Sequence, residues 1–338
     1  MTVTVAPRPS AFAPASMPTS ESPRAAARGN PALSIVVCTY QRPQLLEACL
    51  RSCLGQQVPL GIVYEIVVVD NDGARSALPV VTALGLDSDP KLRYVTEPVA
   101  NIANARNRGV QEAKGELIAF IDDDFVVPES WMTTVIGLMG DGQADVLLGD
   151  VRPIFEGTGA PRGVANAFTR HAPEASGRVP VRSDGYTPGA RSGNAILRRD
   201  FCFDAGQQGF DPAFGRSGGE DSEFFMRLGR RRPLIIASAE AYVLDFVPRE
   251  RQSEAYVIRR ALREGRSYAR LMYKNSSWPR LKALDLALRG FLQAAHATLL
   301  LMASPRLTRE RRLDLRIRRG LALGKTGMAG ATRDVPYR

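Results

Sequence analysis

Three consecutive aspartates, Asp122 to Asp124, are the residues of this sequence whose types and spacing best suit chemistry. They follow a short apolar run, residues 117–121, which favours a buried strand over a helix. Like charges at a strand end repel one another, so they are costly unless a cation or a ligand binds them. Carboxylate oxygens suit Mg²⁺ or Mn²⁺, and these cations suit a substrate that contains phosphate. The triplet therefore indicates a metal and phosphate site, with a solvated acidic turn as the alternative.

Strands and helices alternate along the first part of the chain. Buried strands are predicted at 33–38, 62–70, 92–97 and 117–121, with helices near 43–56 and 104–114. This order predicts an α/β fold with a mostly parallel sheet flanked by helices, in which ligands bind beyond the carboxyl ends of the strands. Thr39, Asp70 and Asp122 stand at three of these ends. We therefore expect their side chains to face one crevice.

The remainder of the chain divides less regularly. A Gly/Pro-rich stretch over 156–193 is predicted to contain a mobile loop, and only helices are predicted beyond Pro248. The predicted organisation is a disordered leader over 1–31, a catalytic domain over 32–248 and a helical tail over 249–338. Two histidines and four cysteines without a Cys-x-x-Cys pair argue against structural zinc and fit a reducing cytosol.

The charge of the chain is concentrated in the predicted tail. Residues 248–338 contain 21 Lys and Arg against 7 Asp and Glu, while the whole chain has a formal net charge of +10. Within the tail, 283–303 is apolar except for a narrow polar stripe and Thr298; the stripe consists of Asp285, Arg289, Gln293 and His296. Such a helix suits the surface of an anionic membrane better than its interior, and packing on the catalytic domain is the alternative. Because aromatic residues do not alternate with these arginines, the tail does not indicate a nucleic-acid-binding protein. We expect peripheral attachment to the cytoplasmic face of the plasma membrane.

Four segments, in order along the chain, resemble those of family-two glycosyltransferases of the GT-A fold. They are SIVVCTYQRP at 34–43, VVVDNDG at 67–73, NARNRG at 104–109 and GELIAFIDDD at 115–124. The resemblance covers roughly residues 33–275 and includes bacterial transferases that build exopolysaccharides or lipid-linked glycans. It implies an inverting transferase that uses a nucleoside-diphosphate sugar, UDP-glucose as the first guess, usually with Mg²⁺ or Mn²⁺.

The same resemblance implies a nucleotide-binding half over 32–125 and an acceptor half over 126–248, and it also implies roles for particular residues. The predicted donor-binding residues are Thr39, Tyr40, Arg42, Asp70, Asp72, Arg106, Asp122 and Asp123. The predicted metal ligands are Asp124, Asp122 and Asp245, the last standing where many relatives have a histidine. Four alternatives stay open: a turn that ends the strand for Asp70, a helix-covering role for Arg106, an acceptor-binding or purely structural role for Asp245, and a shift of the metal motif by one residue within Asp122–Asp124.

An inverting transfer also needs a carboxylate that removes the proton of the acceptor hydroxyl. The segment Ser217-Gly218-Gly219-Glu220-Asp221 precedes a predicted helix and resembles the family segment that contains the catalytic aspartate. Ser217 and Glu220 have the spacing of a capping box, so Glu220 could satisfy backbone donors instead. We therefore predict Asp221 as the base, because the positive end of the helix favours an anion there. Gly218, Gly219 and Glu220 are predicted to contact the acceptor, since glycines allow its close approach.

A second enzyme class also fits the aspartates taken alone. The pattern Asp122-x-Asp124-x-Val126 after a strand matches haloacid-dehalogenase-type phosphatases, with Asp122 as nucleophile and Asp124 as acid. That motif normally follows the first strand of its domain, whereas three strands precede it here. The downstream lysine and acidic pair of that superfamily are also not evident. The transferase is therefore the preferred hypothesis.

Overall fold

The computed structural model describes residues 31–86, 89, 91–140, 142, 144–169, 177–203, 209–303 and 306–327. The predicted leader, apart from Pro31, and the last residues of the tail, 328–338, lie outside these described residues. Within the stretch predicted to contain a mobile loop, residues 170–176 also lie outside them, and the rest includes a short helix and a short strand.

A mixed sheet of nine strands forms the centre of the described chain. The strands are β1 (Leu33–Thr39), β2 (Tyr64–Asp70), β3 (Leu92–Thr96), β4 (Leu117–Asp122), β5 (Phe125–Val126), β6 (Val146–Phe155), β7 (Gly177–Arg178), β8 (Ala195–Arg198) and β9 (Ile235–Val247). Their spatial order is β3-β2-β1-β4-β8-β6-β9-β5, with β7 paired to β9. The first four strands are parallel to one another, whereas β8 is antiparallel to both of its neighbours. The α/β fold predicted from the alternating pattern is confirmed.

The helices lie on both sides of this sheet and beyond its end. They are α1 (Pro43–Leu54), α2 (Leu78–Ala83), α3 (Ile102–Glu112), α4 (Trp131–Met139), α5 (Arg162–Ala165), α6 (Arg199–Cys202), α7 (Glu220–Gly229), α8 (Glu254–Lys274), α9 (Pro279–Ala303) and α10 (Arg309–Thr326). Pro43 stands at the start of α1, where its missing N–H has no helical partner in any case. Asn101 caps α3, because its side-chain oxygen accepts hydrogen bonds from the N–H groups of Ala103 and Asn104.

Two apolar layers, one on each face of the sheet, form the main core. Ile35 and Val37 of β1 pack in the same cluster as Leu46 of α1, while Val36 belongs to the opposite cluster with Phe224 of α7. Because helices cover both faces of the sheet, the side chains of β1 are buried on both faces, as its continuous apolar pattern predicts.

The approach of α3 to the sheet depends on one glycine. A Cβ on Gly109 would lie 2.3 Å from Cγ1 of Val36, so a larger residue would push the helix away from β1. This close contact places Arg106, three residues earlier on the same helix, in a buried position next to the carboxyl end of β4.

The three C-terminal helices pack against one another. The α8–α10 crossing is close, because a Cβ on Gly265 would lie 2.1 Å from the carbonyl oxygen of Leu321. Leu313 of α10 joins Val247 of β9 and Val257 of α8 in one buried cluster. The C-terminal helical extension predicted from the sequence is therefore confirmed, and it is packed onto the sheet.

Candidate active site

The aspartate triplet lies at the carboxyl edge of the sheet, next to the end of β1. In the paired strands, Cys38 stands opposite Asp122, and Thr39 stands opposite Asp70 of β2. The three polar strand ends expected to face one crevice are thus brought to one edge. The exposed side chain of Tyr40 follows directly after β1 at the same edge.

The middle aspartate is the most buried member of the triplet. Asp123 accepts a hydrogen bond of 2.8 Å from the hydroxyl of Thr39 and one of 3.2 Å from Arg42. Burial raises the pKa of Asp123 to about 6, because the Arg42 guanidinium only partly offsets the lost hydration and the Asp124 charge acts against it. Of the two flanking side chains, Asp122 is 37% exposed and Asp124 is 12% exposed. Asp123 therefore binds the end of β1, while Asp122 is the most accessible of the three.

A buried arginine connects the triplet to the helix that contains the predicted base. Nη2 of Arg106 lies 3.7 Å from Oδ1 of Asp122, and Nη1 donates to the carboxylate of Glu220 at the start of α7. Burial alone would lower the pKa of Arg106, but the carboxylates of Glu220 and Asp122 raise it above its usual value. The reverse holds for Glu220, whose pKa is raised by burial despite the arginine. Arg106 therefore lies between carboxylates, and the alternative of a residue covering a helix surface is wrong.

The predicted base is the second residue of α7. Oδ1 of Asp221 accepts a hydrogen bond of 2.7 Å from its neighbour's N–H, that of Ser222, and lies 3.8 Å from Nη1 of Arg191. Gly219 is the N-cap of α7 and no side chain caps the helix, so the capping box suggested by the spacing of Ser217 and Glu220 does not form. Instead, Gly218 and Gly219 both adopt left-handed φ values, 81° and 97°, which bring the chain into α7.

Arg191 belongs to a segment that the sequence did not assign to the site. Nη1 of Arg191 donates to the hydroxyl of Ser222 at 3.1 Å, and the charge of Asp221 raises the pKa of Arg191. Two residues later, a Cβ on Gly193 would lie 2.5 Å from Oδ2 of Asp122. This segment thus contacts both halves of the crevice. A single arginine in a Gly/Pro-rich stretch gave no signal of this role, whereas the Gly-Asn dipeptide at 193–194 was a readable turn signal.

The carboxylate of Asp70 is fully buried in the turn after β2. It accepts hydrogen bonds from the N–H groups of Asp72 and Ala77, at 3.1 and 2.9 Å, and from the hydroxyl of Tyr94 at 2.9 Å. Asp72 in turn accepts from the N–H of Ala74 at 3.1 Å. These bonds are those of a turn that ends a strand, so the structural alternative for Asp70 is the one the geometry supports.

The third predicted metal ligand lies on the neighbouring strand. Asp245 of β9 stands opposite Phe125 of β5, and the next residue, Phe246, donates its N–H to the carbonyl of Asp124 at 3.1 Å. The carboxylate of Asp124 lies 3.6 Å from Arg42 and 3.5 Å from Arg251. Across the described residues, no three His, Cys, Asp or Glu side chains are already gathered as a metal site. The oxygen donors of Asp122 and Asp124 nevertheless fit Mg²⁺ or Mn²⁺, since hard cations take carboxylate oxygens.

Arg251 is a second residue that sequence reasoning missed. It lies in the 3-10 turn Arg249–Arg251 that follows β9, and its side chain returns to the triplet. Nothing in the local sequence distinguishes it from the other arginines of the basic tail, because its role depends on the length and direction of β9.

Comparisons with known proteins agree with this geometry. The family model "Glycosyl transferase family 2" matches residues 34–203. The succinoglycan biosynthesis protein ExoM of Rhizobium meliloti is 33% identical over 298 residues, which cover 88% of this chain and 93% of that protein. The chain belongs to glycosyltransferase family 2. A β-1,3-glucosyltransferase of Campylobacter jejuni, described as acting on GalNAc(5)-diNAcBac-PP-undecaprenol, is 29% identical over 117 residues, or 34% of this chain and 37% of its own.

Solved structures show the same fold as this family-2 glycosyltransferase. The mannosyltransferase PcManGT from Pyrobaculum calidifontis, in complex with GDP-Man and Mn²⁺, aligns with a TM-score of 0.59 at 18% identity, covering 94% of this chain and 92% of its own. S. aureus TarS 1–349 with UDP-GlcNAc aligns with a TM-score of 0.52 at 18% identity, covering 89% and 93%. The GT-A fold and membership among glycosyltransferases, both predicted from the four motifs, are confirmed, and the phosphatase alternative is not favoured.

Proposed function

We propose that this family-2 glycosyltransferase is an inverting enzyme that moves a sugar from a nucleoside-diphosphate sugar to a hydroxyl of a glycan or lipid-linked glycan. UDP-glucose is the first candidate donor. The observation that carries the proposal is the Arg106 bridge, since this one side chain contacts both Asp122 at the strand end and Glu220 beside Asp221. The names of the similar proteins support the substrate classes, because they include nucleotide-sugar complexes and a lipid-linked glycan acceptor.

The proposed reaction assigns the proton transfer to Asp221. Its carboxylate takes the proton of the acceptor hydroxyl while that oxygen attacks the anomeric carbon. The bond from this carbon to the diphosphate oxygen breaks on the opposite face, so the anomeric configuration inverts. Arg191, at 3.8 Å from Asp221, places a positive charge beside the base, and Arg42 and Arg251 place positive charge beside the triplet, where negative charge of the leaving group would develop.

A divalent cation fits the donor side of the proposed site. Asp122 and Asp124 would hold Mg²⁺ or Mn²⁺, with Asp245 as a third candidate ligand on the adjacent strand. When bound, the cation neutralises charge that develops on the departing diphosphate. Arg42 and Arg251 also lie next to Asp124, at 3.6 and 3.5 Å.

A donor screen tests the proposed reaction class. We expect UDP or UDP-glucose with Mn²⁺ to raise the melting temperature of the protein, and we expect transfer to give a product of inverted anomeric configuration by ¹H NMR. Matched samples of simple phosphomonoesters are the control. Phosphate release from these compounds, without stabilisation by any nucleoside diphosphate, would contradict the proposal.

We also propose that the tail attaches the enzyme peripherally to the anionic cytoplasmic face of the membrane. Within the described part of the chain, α9 is the one helix long and apolar enough to cross a membrane, which is weak evidence on its own. One side of α9 packs on α10, since a Cβ on Gly290 would lie 2.7 Å from the carbonyl of Ala322. Another side exposes a row of large apolar residues: Leu281, Leu284, Leu288, Phe291, Leu292, Leu299 and Met302.

The packing of α9 favours a helix that lies in the membrane surface. Asp285 pairs with Arg289 at 2.5 Å and with Lys282 at 3.4 Å. A spanning helix would bury Asp285 and Arg289 within its first half, and a charge costs about 2.5–3.5 kcal/mol where it reaches the centre. An interfacial helix leaves them hydrated and buries only the apolar row. The arginines of α10 would add attraction to anionic headgroups.

Vesicle flotation tests this attachment. Replacing Leu288 and Phe291 with Glu should reduce binding to anionic vesicles about tenfold or more, because each lost apolar contact is worth about 1.5–3 kcal/mol. Leu60→Glu, at a fully exposed apolar residue outside the tail, is the matched control. Equal flotation of the double variant and the control would contradict the proposal.

A further inference from the structure

Helix α8 is hydrogen-bonded and ion-paired to the loop over 211–219, which leads into α7, the helix of the proposed base. Nη2 of Arg270 donates to the carbonyl of Ala213 at 2.8 Å, and Nη1 donates to the hydroxyl of Ser217. One turn further along α8, Lys274 forms an ion pair with Asp211. The loop over 211–219 is therefore bound at three points by a helix of the C-terminal extension.

Phe214 lies in the middle of these contacts between α8 and the loop. Its side chain is fully buried, and the charged groups of Arg270 and Lys274 both lie 4.9 Å from its ring centre. Cations over an aromatic ring at this distance are attracted to it. The two cations of α8 therefore hold the ring as well as the backbone of the loop.

The backbone of Phe214 fixes the entry into α7. Its carbonyl accepts hydrogen bonds from the N–H groups of Ser217 and Gly218, at 3.2 and 2.9 Å. The following residue, Gly219, is the N-cap of α7, and a Cβ there would lie 3.3 Å from Cβ of Ser267 on α8. Asp221 comes two residues after this cap, so the position of Phe214 sets the position of Asp221.

The opposite side of the same loop contacts the donor half. The side chain of Asn101, the N-cap of α3, donates to the carbonyl of Pro212 at 3.0 Å, and the N–H of Ile102 donates to the carbonyl of Gly215 at 3.3 Å. The loop therefore lies between the helix that contains Arg106 and the helix that contains Arg270.

We infer that Arg270 is a positioning residue for glycosyl transfer, which holds the 211–219 loop so that Asp221 faces the donor site. This inference rests on the proposed function. Arg270 acts through the loop, because its guanidinium is bonded to Ala213 and Ser217. It follows that α8 is part of the catalytic unit, beyond any role of the tail at a membrane. A displacement of about 1 Å at a base is enough to slow a reaction by about 10²-fold.

Kinetics of the full-length protein test the inference. We expect Arg270→Leu to lower kcat about tenfold or more, with the dissociation constant for UDP changed less than twofold, and we expect Arg270→Lys to restore part of the loss because it keeps the cation over Phe214. Arg259→Leu, at an exposed arginine of the same helix, is the control and should match the wild type. Unchanged kcat per folded molecule in Arg270→Leu would overturn the inference, and so would equal loss of UDP binding.

Hydrogen exchange separates this inference from the proposed function. In Arg270→Leu, amide exchange over 211–219 should rise at least severalfold, whereas exchange over β1 and β4 should not change. This readout does not depend on any reaction. A wild-type protein that fails to transfer sugar would refute the proposed function alone, whereas unchanged exchange in the loop would refute the positioning role alone. Ser217→Ala, which removes a single acceptor, is a milder second variant and should raise loop exchange in the same direction.

Discussion

Two buried carboxylates, at opposite edges of the same sheet, have pKa values shifted in opposite directions. Glu65, near the amino end of β2, accepts hydrogen bonds from the hydroxyl of Ser34, the N–H of Lys114 and the guanidinium of Arg93. Burial raises its pKa, but these donors together bring it below its usual value. At the carboxyl edge, burial raises the pKa of Asp123 to about 6, and the bonds from Thr39 and Arg42 do not compensate.

The difference shows how one sheet separates stability from function. At the amino edge, Arg93 pairs with Glu65 and with Glu112, and Arg108 also pairs with Glu112, so two cations match two carboxylates. At the carboxyl edge, three carboxylates adjoin in sequence, and Asp123 is destabilised by the charge of Asp124 beside it. Arg42, Arg106 and Arg251 lie beside the triplet, yet carboxylates this close together remain costly unless a cation or a ligand binds them.

The largest expected effect is at the carboxyl edge, in the reaction itself. Asp221→Asn removes the proposed base and should lower kcat by about 10²–10⁴-fold, because general-base catalysis typically supplies a factor of that size. UDP binding, measured by calorimetry, should stay within twofold of the wild type. Glu65→Gln is the matched control at the amino edge and should leave kcat of the folded protein unchanged. Loss of donor binding in Asp221→Asn would count against its assignment as the base.

The second effect concerns the cation. Asp124→Asn removes a proposed ligand and should weaken Mn²⁺ binding about tenfold to 100-fold, at least as much as the loss of a residue that only supports a ligand. Mn²⁺ titration followed by electron paramagnetic resonance measures this directly, without any turnover. Glu112→Gln, which removes a carboxylate at the other edge, should bind Mn²⁺ as the wild type does. Equal affinity in Asp124→Asn and the wild type would remove Asp124 from the metal site.

The third effect concerns stability at the amino edge. Glu65→Gln should lower the free energy of unfolding by about 1–3 kcal/mol at pH 7, because charge-assisted bonds to buried groups are lost. A carboxyl group whose folded pKa is lowered stabilises the protein above its unfolded pKa, about 4.3, and this contribution disappears as the pH falls through the lower folded value. Urea unfolding should therefore show the two proteins converging below about pH 4. A difference that is independent of pH would mean that packing, not charge, explains the loss.

The carboxyl edge was largely predictable from the sequence, because local patterns determine it. Continuous apolar runs gave the parallel strands, and the ends of parallel strands meet at one edge, so Thr39, Asp70 and the triplet could be placed there without coordinates. The contacts that each of these side chains makes were less predictable than their positions. Asp70 has the expected position, but its carboxylate is used by the turn, since Tyr94 and the N–H of Ala77 lie within reach only after β2 and β3 pair.

The contacts between distant segments could not be predicted in this way. Arg106 was a candidate, yet its partner Glu220 lies 114 residues later. Arg191 and Arg251 resemble many other arginines of this basic chain, and only the paths of the segment before β8 and of β9 bring them to the crevice. The contacts of α8 with Phe214 likewise depend on how three helices pack together. The hydrophobic pattern of each helix alone does not specify that packing.

The last effect tests the comparison most directly, because its sign is opposite to that at Glu65. An acid whose folded pKa is raised opposes folding once the unfolded chain ionises, so the contribution of Asp123 to wild-type stability should fall as pH rises from about 3.9 to about 6. Asp123→Asn removes this dependence, and in metal-free buffer its stability relative to wild type should rise by up to about 3 kcal/mol over the same interval, since one pKa unit corresponds to about 1.4 kcal/mol. Urea unfolding of both variants on one pH series measures the two slopes together, and slopes of the same sign would show that the two edges do not differ in charge compensation.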